Sequence, residues 1–465
     1  MSPSDRTAIV GRTRELGSLR RAFDQPEASV IRVAGLPGVG KTRLVRQAAS
    51  DFRALYHRAP PLPDPQQRAA LARTLRQELL DAVGEPTASD LPSWQELFGA
   101  LVASTSEGRP LVLVVDDAHR WEESRARYGT PLQEALIRAR AVSRPVHLVL
   151  IAPELPAAPT SGEPAGLELT VHPLPFRAAS ALLPGETVRD RLRAYAVFGG
   201  LPRHLVLVDP AASLGTNARR LLLTRDGALS DAPLALLERL FQTPARYAAV
   251  LAALAPGEAD WGTVHAGVPD LSASGQAAPY LKRLEEVGLV EARRSLDASP
   301  RTRARRYRLR DPFLAFWFRF VLPHRHRFAD ASADALYAEV VRPQLDRHVA
   351  SVFPQVCRDF MANDAVEVLG ANARECGSLW GRGYDIPVAG VLGTGSPFYG
   401  LPVTDEEDSG GSLLPRLDAE IRETRYGFGR EQRLRLLFLI REPTSALLRD
   451  AARRHDTVVV GPDAL

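Results

Sequence analysis

The chain has 465 residues, 45% of them hydrophobic and 25% charged, with a formal net charge of +4. That length exceeds what one core usually serves, so two to four domains are expected. Two cysteines, Cys357 and Cys376, exclude a disulfide scaffold and a Cys-rich zinc site. Reduced thiols in a cytoplasmic protein are the expectation. No apolar run is long enough for a membrane span, and the first thirty residues carry Asp and Glu without the apolar stretch of a signal peptide.

In chain order, a helix precedes a strand at 30–34, and a glycine turn then opens a second helix at 42–49. Pro60, Pro61, Pro63 and Pro65 mark a loop, after which 66–83 and 94–104 have helical spacing. The run 111–115 is continuously apolar and ends in Asp116-Asp117, as expected of a strand buried on both faces. A helix at 132–141 leads to a second such strand at 146–151, and a Pro- and Gly-rich connector follows at 153–164. Strands alternating with helices predict a parallel α/β sheet. Residues 176–322 read as short helices and turns. Beyond them the chain is helical to about Leu369, then strand-like between glycines, with strands at 434–440 and 458–460 flanking a helix at 445–453.

Residues 35–42 read GLPGVGKT and fit the phosphate-loop pattern in its required strand–turn–helix context. Gly35, Gly38 and Gly40 let backbone N–H groups turn inward around a triphosphate, with Pro37 and Val39 between them. The helix after the loop points its positive end at the anion, where Arg43 follows. Lys41 supplies a point charge for the β- and γ-phosphates, and Thr42 a hydroxyl for Mg²⁺. Lys41 is one of two lysines among 59 basic residues, so its survival in an arginine-rich chain asks for a chemical reason. Asp116 is placed to hold Mg²⁺. Asp117 either polarises the attacking water or caps the next segment.

Further basic charge is concentrated between Arg293 and Arg310, where eight Arg face one Asp for a net of +7 in a chain of +4. A phosphate-backbone contact, a solvated loop and an acidic protein partner all fit that pattern. The aromatic run Phe313, Phe316, Trp317, Phe318 and Phe320 reads as a buried helix rather than a base-stacking platform. His324 and His326 alternate with Arg325 and Arg327 as a solvated basic turn.

Taken together, Val10-Gly11-Arg12, Glu15-Leu16, GLPGVGKT, LVLVVDD and Gly199-Gly200-Leu201-Pro202-Arg203 resemble the archaeal-type ATPases of the STAND/AAA+ group. YLKRLEEVGLV (280–290) and YRLRDPFLAFWFRFVLP (307–323) resemble the winged-helix region and aromatic helix of that family. The tail resembles its C-terminal domain of unknown function, related to PD-(D/E)XK nucleases. The resemblance implies an α/β fold: an ASCE-type P-loop NTPase core at 1–175, a helical lid at 176–232, a winged helix at 233–322 and a nuclease-like interaction domain at 323–465. It implies ATP or ADP with Mg²⁺, Gly11 and Arg12 near the adenine, and Pro202 in a lid segment over the nucleotide.

Three departures accompany the resemblance. Ala152-Pro153 stands where the family carries a polar sensor, and Glu163-Pro164-Ala165-Gly166 where it tends to carry a Gly-Arg pair, which implies slow hydrolysis or none. In the tail, Asp385 falls at the family's Glu, Pro387 at a metal-ligand Asp, and Leu401-Pro402-Val403 where Glu-x-Lys should follow. A nuclease site lacking those groups is not expected to cut. Asp405 to Asp408 read as a solvated acidic loop. The expected protein is an ATP-binding switch with no membrane contact, a possible nucleic-acid contact between Arg293 and Arg310, and a protein partner for its tail. A non-hydrolysing nucleotide-bound scaffold and a nucleic-acid regulator are its rivals.

Overall fold

Apolar runs without polar alternation are stable only where both faces are covered, and three such runs form the centre of the first parallel sheet. In the computed structural model, which describes residues 9–79, 91–105, 109–154, 166–268, 277–299, 301–329, 331–404, 413–427, 433–454 and 456–465, internal packing divides the chain into Met1–Pro173 and Leu174–Leu465.

The first unit runs α1 (Thr13–Phe23), β1 (Ser29–Ala34), α2 (Lys41–Ala48), β2 (Arg53–Arg58), α3 (Asp64–Leu79), α4 (Trp94–Ala103), β3 (Leu111–Asp116), α5 (Arg125–Ala141), β4 (Val146–Ala152) and β5 (Glu168–Thr170). The strand order is β2-β3-β4-β1-β5, and every pairing is parallel. β1, β3 and β4 are buried almost throughout, whereas the edge strand β2 alternates exposed arginines with buried Leu55 and His57. On one face Trp94, Leu97, Phe98, Trp121, Leu132 and Leu136 pack with Leu113 and Leu148. The order places β3 beside β4 and β4 beside β1, so the loop after β1 and the end of β3 share one edge of the sheet. Most of the connector expected at 153–164 lies outside the described residues.

The second unit begins with α6 (Phe176–Ser180), α7 (Val188–Phe198), α8 (Pro202–Leu205), α9 (Leu214–Leu222) and α10 (Ala232–Leu240). α11 (Pro244–Leu254), β6 (Ala259–Asp260), α12 (Trp261–Ala266), α13 (Ala277–Glu286), β7 (Val290–Arg293) and β8 (Arg306–Leu309) follow as three helices and an antiparallel sheet of order β6-β8-β7. Pro279 sits in the first turn of α13, where a missing N–H is tolerated. α14 (Pro312–Phe316) continues into tighter and wider helical turns, and its Phe313, Phe316, Trp317, Phe318 and Phe320 are all buried. This is packing, not a stacking platform.

The chain closes with α15 (Ala333–Leu336), α16 (Leu345–Asn363), α17 (Val366–Leu369), β9 (Ala373–Gly381), β10 (Tyr384–Leu392), β11 (Pro397–Val403), α18 (Leu413–Glu423), β12 (Leu434–Leu439), α19 (Ser445–Ala452) and β13 (Thr457–Val460). These strands form a mixed sheet, β9, β10 and β11 antiparallel and β11, β12 and β13 parallel. α18 buries Leu413, Leu414, Leu417 and Ile421 with Leu379, Ile386, Tyr399 and Leu437. Among the described residues no helix is long and apolar enough to cross a membrane.

Asp311 joins two parts of this unit. It caps α14 by accepting the Phe313 N–H at 3.1 Å, and the Gly200 N–H also bonds its carboxyl. Its other oxygen has no partner among the described residues, and burial pushes the carboxyl up to about 7 against those two bonds. Between the ordinary carboxylate range and pH 7 the folded chain therefore holds a proton that the unfolded chain has lost, so stability falls as pH rises through that window. Asp311→Asn keeps the acceptor and removes the ionisation. Its stability relative to the parent should rise from pH 4.5 to pH 8, at about 1.4 kcal/mol for each pH unit inside the window. Thermal melts showing the same gap between the two proteins at both pH values would contradict this.

Candidate nucleotide site

The loop after β1 is shaped by its glycines and pinned by its apolar residues. Gly35 has φ 147° and donates its N–H to the Pro153 carbonyl at 3.1 Å; a Cβ built on it would run into the Val171 carbonyl oxygen. Gly40 caps α2 at φ 96°. Leu36 and Val39 are buried, while Pro37 and Gly38 are half-buried between them and Arg43 is exposed on the first turn of α2. Lys41 Nζ curls back onto the loop, donating to the carbonyls of Gly35 at 2.7 Å and Leu36 at 3.2 Å.

β3 brings the acids to this loop. Thr42 Oγ1 donates to Asp116 Oδ2 at 2.8 Å, and Asp116 Oδ1 accepts the Asp117 N–H at 2.9 Å. Asp117 takes φ 57°, a left-handed conformation uncommon for a residue with a Cβ, and turns its carboxylate toward β2. There Arg58 Nε at 3.0 Å and Arg120 Nη2 at 3.3 Å share its Oδ2. Burial pushes the Asp117 carboxyl up, but the Arg58 hydrogen bond and the charges of Arg120 and Arg58 outweigh it and hold it below the usual carboxylate range. Asp117 precedes the turn Ala118–Ser124 without a side-chain capping bond, so the capping alternative fails. Arg58, at the end of an edge strand, carried no signal in the sequence.

Gly11 has φ 65°, and Arg12 is buried, bound to Glu15 at 2.9 Å and to the His172 carbonyl. Its guanidinium is thus part of the first unit's internal bonding. Ala152 ends β4 and Pro153 contributes a carbonyl to the loop, so this position offers no polar side chain. Pro202 opens α8 in the second unit, where the preceding Gly200 carbonyl accepts the Leu174 N–H at 2.8 Å. Of the departing stretch Glu163 to Gly166, the first three residues lie outside the described residues.

The donors fit Mg-triphosphate. The loop has a cradle that a Cβ would fill at Gly35, a lysine ammonium held over it, and a hydroxyl–carboxylate pair at its exit. Magnesium keeps much of its shell as water and phosphate oxygen, so one hydroxyl and one carboxylate suffice. Among the described residues no group of three or more His, Cys, Asp or Glu forms a separate metal cluster.

The basic stretch needs correction at Arg293. It is buried, paired with Glu258 at 3.4 Å and bonded to Ser378 Oγ at 2.5 Å, so it cannot meet a phosphate backbone. Arg308 is paired with Glu291, Arg305 lies 3.8 Å from Glu285, and Arg306 is bound to Asp385. Arg294, Arg301 and Arg303 remain exposed. In the tail, Asp385 is an exposed residue of β10, the Pro387 carbonyl accepts from Arg358 at 2.6 Å, and Leu401 and Val403 are buried. The acidic run Asp405 to Asp408 lies outside the described residues.

Gly35→Ala should lower the melting temperature more than Gly40→Ala. Both positions impose a backbone strain of about 1–3 kcal/mol, but only at Gly35 does the new methyl also strike backbone, whereas open space surrounds Gly40. Equal melting temperatures for the two variants would show that the β1 turn yields.

Residues 8–151 match the model of an AAA ATPase domain, and residues 317–398 that of a family of archaeal and bacterial proteins of unknown function. An uncharacterized protein of Methanocaldococcus jannaschii is 24% identical over 234 residues, 49% of this chain and 51% of its own. The regulatory protein AfsR of Streptomyces griseus is 33% identical over 130 residues, 27% of this chain and 13% of its own. The chain thus spans about half the length of one curated relative and a small part of the other. Among solved structures, the Walker-type ATPase of Pyrococcus abyssi is 16% identical with a TM-score of 0.45, covering 67% of this chain and 96% of that one. The glycine loop and the strand-end acids lie within the stretch that matches the AAA ATPase domain, and the second match falls in the other unit of the same chain.

Proposed function

We propose that the chain is an ATP-binding switch of the STAND/AAA+ type, cytoplasmic, that hydrolyses ATP slowly. The observation that carries this reading is the Thr42–Asp116 hydrogen bond, which joins the glycine loop to the end of β3 where a triphosphate and its cation would meet. Backbone N–H groups of Gly38 and Gly40 hold phosphate oxygens in a loop shaped by Gly35, Pro37 and Val39, and Lys41 leaves the loop carbonyls to meet the β/γ end. Arg43 adds charge at the helix start. Gly11 and Arg12 form the base side, and Pro202 belongs to the lid. Thr42 and Asp116 hold Mg²⁺, which when bound neutralises phosphate charge. Asp117 accepts the proton of the attacking water.

The slowness follows from the two guanidinium groups on Asp117. A carboxylate held by both is a weaker base, and Ala152-Pro153 offers no side chain to compensate. Lys41→Ala should abolish high-affinity ATP binding in calorimetry on the folded variant; unchanged affinity would remove the phosphate-site assignment. Asp117→Asn should keep ATP bound and slow turnover by at least roughly tenfold. Arg58→Ala, by contrast, should raise single-turnover phosphate release, because it relieves one of the two cations on the base. Bound ATP with no turnover in any of these proteins would favour the scaffold reading.

A second reading concerns nucleic acid. Three helices followed by a β-ribbon are the arrangement of a winged helix, and exposed Arg294, Arg301 and Arg303 lie in the connection between β7 and β8. We assign that connection, the wing, to electrostatic contact with nucleic-acid backbone. The mixed tail sheet is assigned to protein interaction, nuclease-like in form and without cleavage, since Pro387, Leu401 and Val403 supply no carboxylate or lysine.

A further inference from the structure

The wing is fastened to the tail sheet by a continuous set of bonds. Leu296 donates its N–H to the Ser378 carbonyl at 3.1 Å, and Trp380 donates its own to Ser295 Oγ at 3.0 Å. Asp297 Oδ2 accepts from Tyr384 at 2.6 Å and Thr424 at 3.0 Å, and Gly377 leaves room for the Leu296 side chain. These bonds, with buried Arg293 on Ser378, fix residues 293–297. At the other end of the wing, Arg306 Nη1 lies 3.0 Å from both oxygens of Asp385, and its guanidinium stands 4.7 Å over the Trp380 ring.

The two ends differ in how firmly they hold. Arg293 is buried, whereas the Arg306 side chain is 28% exposed and that of Asp385 58% exposed. An ion pair at that exposure contributes little to stability. Its cation is nonetheless masked by the neighbouring carboxylate. Arg306 also lies on the same ribbon as the exposed Arg301 and Arg303.

We propose that Arg306 is a latched phosphate contact, which Asp385 and Trp380 hold on the tail sheet and which a nucleic-acid phosphate takes over by displacing Asp385. The 293–297 fastening stays in place during the exchange, so the wing swings nowhere. Only one guanidinium changes partners, and the tail sheet thereby sets how many phosphates the wing can meet. The Trp380 ring lies against the guanidinium in either state and keeps it extended. This rests on the nucleic-acid reading of the wing.

The test uses the full chain, its Asp385→Asn variant, and the double variant carrying Arg306→Ser as well. Each is titrated with a fluorescent 20-base-pair DNA duplex at several salt concentrations, alongside limited trypsin digestion mapped at Arg306. Loss of the carboxylate charge should speed cleavage at Arg306, tighten DNA binding about three- to tenfold and steepen the slope of log affinity on log salt by about 0.9, one phosphate contact. The double variant should lose that gain. Faster cleavage with measurable but untightened DNA binding would overturn the latch alone, and no DNA binding by any of the three proteins would overturn the latch and the nucleic-acid reading together. Unchanged cleavage and unchanged, measurable DNA binding would overturn the latch while leaving that reading intact. Tightening that persists in the double variant would show a general charge effect and would also overturn it.

Discussion

The hydrogen bond from Thr42 to Asp116 is the interaction that joins the first unit's glycine loop to its strand-end acids. Its two ends are 74 residues apart, and they meet because β3, β4 and β1 pair in parallel register. Parallel pairing puts the carboxyl ends of all three strands on one edge. The loop leaving β1 and the acids ending β3 therefore emerge side by side, with no side-chain contact needed to bring them there. That in turn explains the composition of the strands: a sheet covered on both faces is built from Val, Leu and Ile, and the polar residues concentrate at its carboxyl edge. Gly35, with its φ of 147° and the Val171 carbonyl against it, is the residue for which this layout leaves no alternative.

Asp117 shows what the same edge does to a carboxylate. Placed one residue past Asp116 in a left-handed conformation, it points away from the loop hydroxyl and into the reach of β2 and the turn after β3. Arg58 and Arg120 settle on the same oxygen, so the charge that Asp117 offers is already matched. Electrostatic holding of this sort opposes basicity and fixes the carboxylate in one orientation. Desolvation alone would have produced the reverse, a stronger base. The balance between those two effects, rather than the presence of an acid at that position, decides whether such a strand end promotes hydrolysis or merely retains nucleotide.

Much of this is legible in the sequence. The glycine loop is a continuous signal, and so are the apolar strands at 30–34, 111–115, 146–151, 434–440 and 458–460, each of which corresponds to a strand within one residue at either end. β2 escaped notice because an edge strand with alternating arginines resembles a loop after a helix, and Arg58 went with it. The basic stretch holds less free charge than its sequence suggests, for a different reason. Counting charge along the chain measures supply and says nothing of demand, and the acids that neutralise Arg293, Arg306 and Arg308 come from Glu258, Asp385 and Glu291. One of those acids lies 79 residues away in sequence, beyond what any local window records.

The same accounting changes how the tail is understood. A sheet with Pro387, Leu401 and Val403 on its strands has no acid at those positions, yet Asp385 beside them still attracts a cation. Asp385 has such a cation in Arg306, which lies over Trp380 with both carboxylate oxygens at hydrogen-bonding distance. Residues 293–297 meanwhile anchor the ribbon through bonds to the backbone and side chains of β9, β10 and the end of α18. The anchored end is buried and the ion-paired end is partly wet. Burial makes the first a fixed joint, since removing one partner there would leave a buried charge uncompensated. Exposure makes the second exchangeable, since water and ions already compete for it. A ribbon held rigidly at one end and reversibly at the other can change what it binds without changing where it sits.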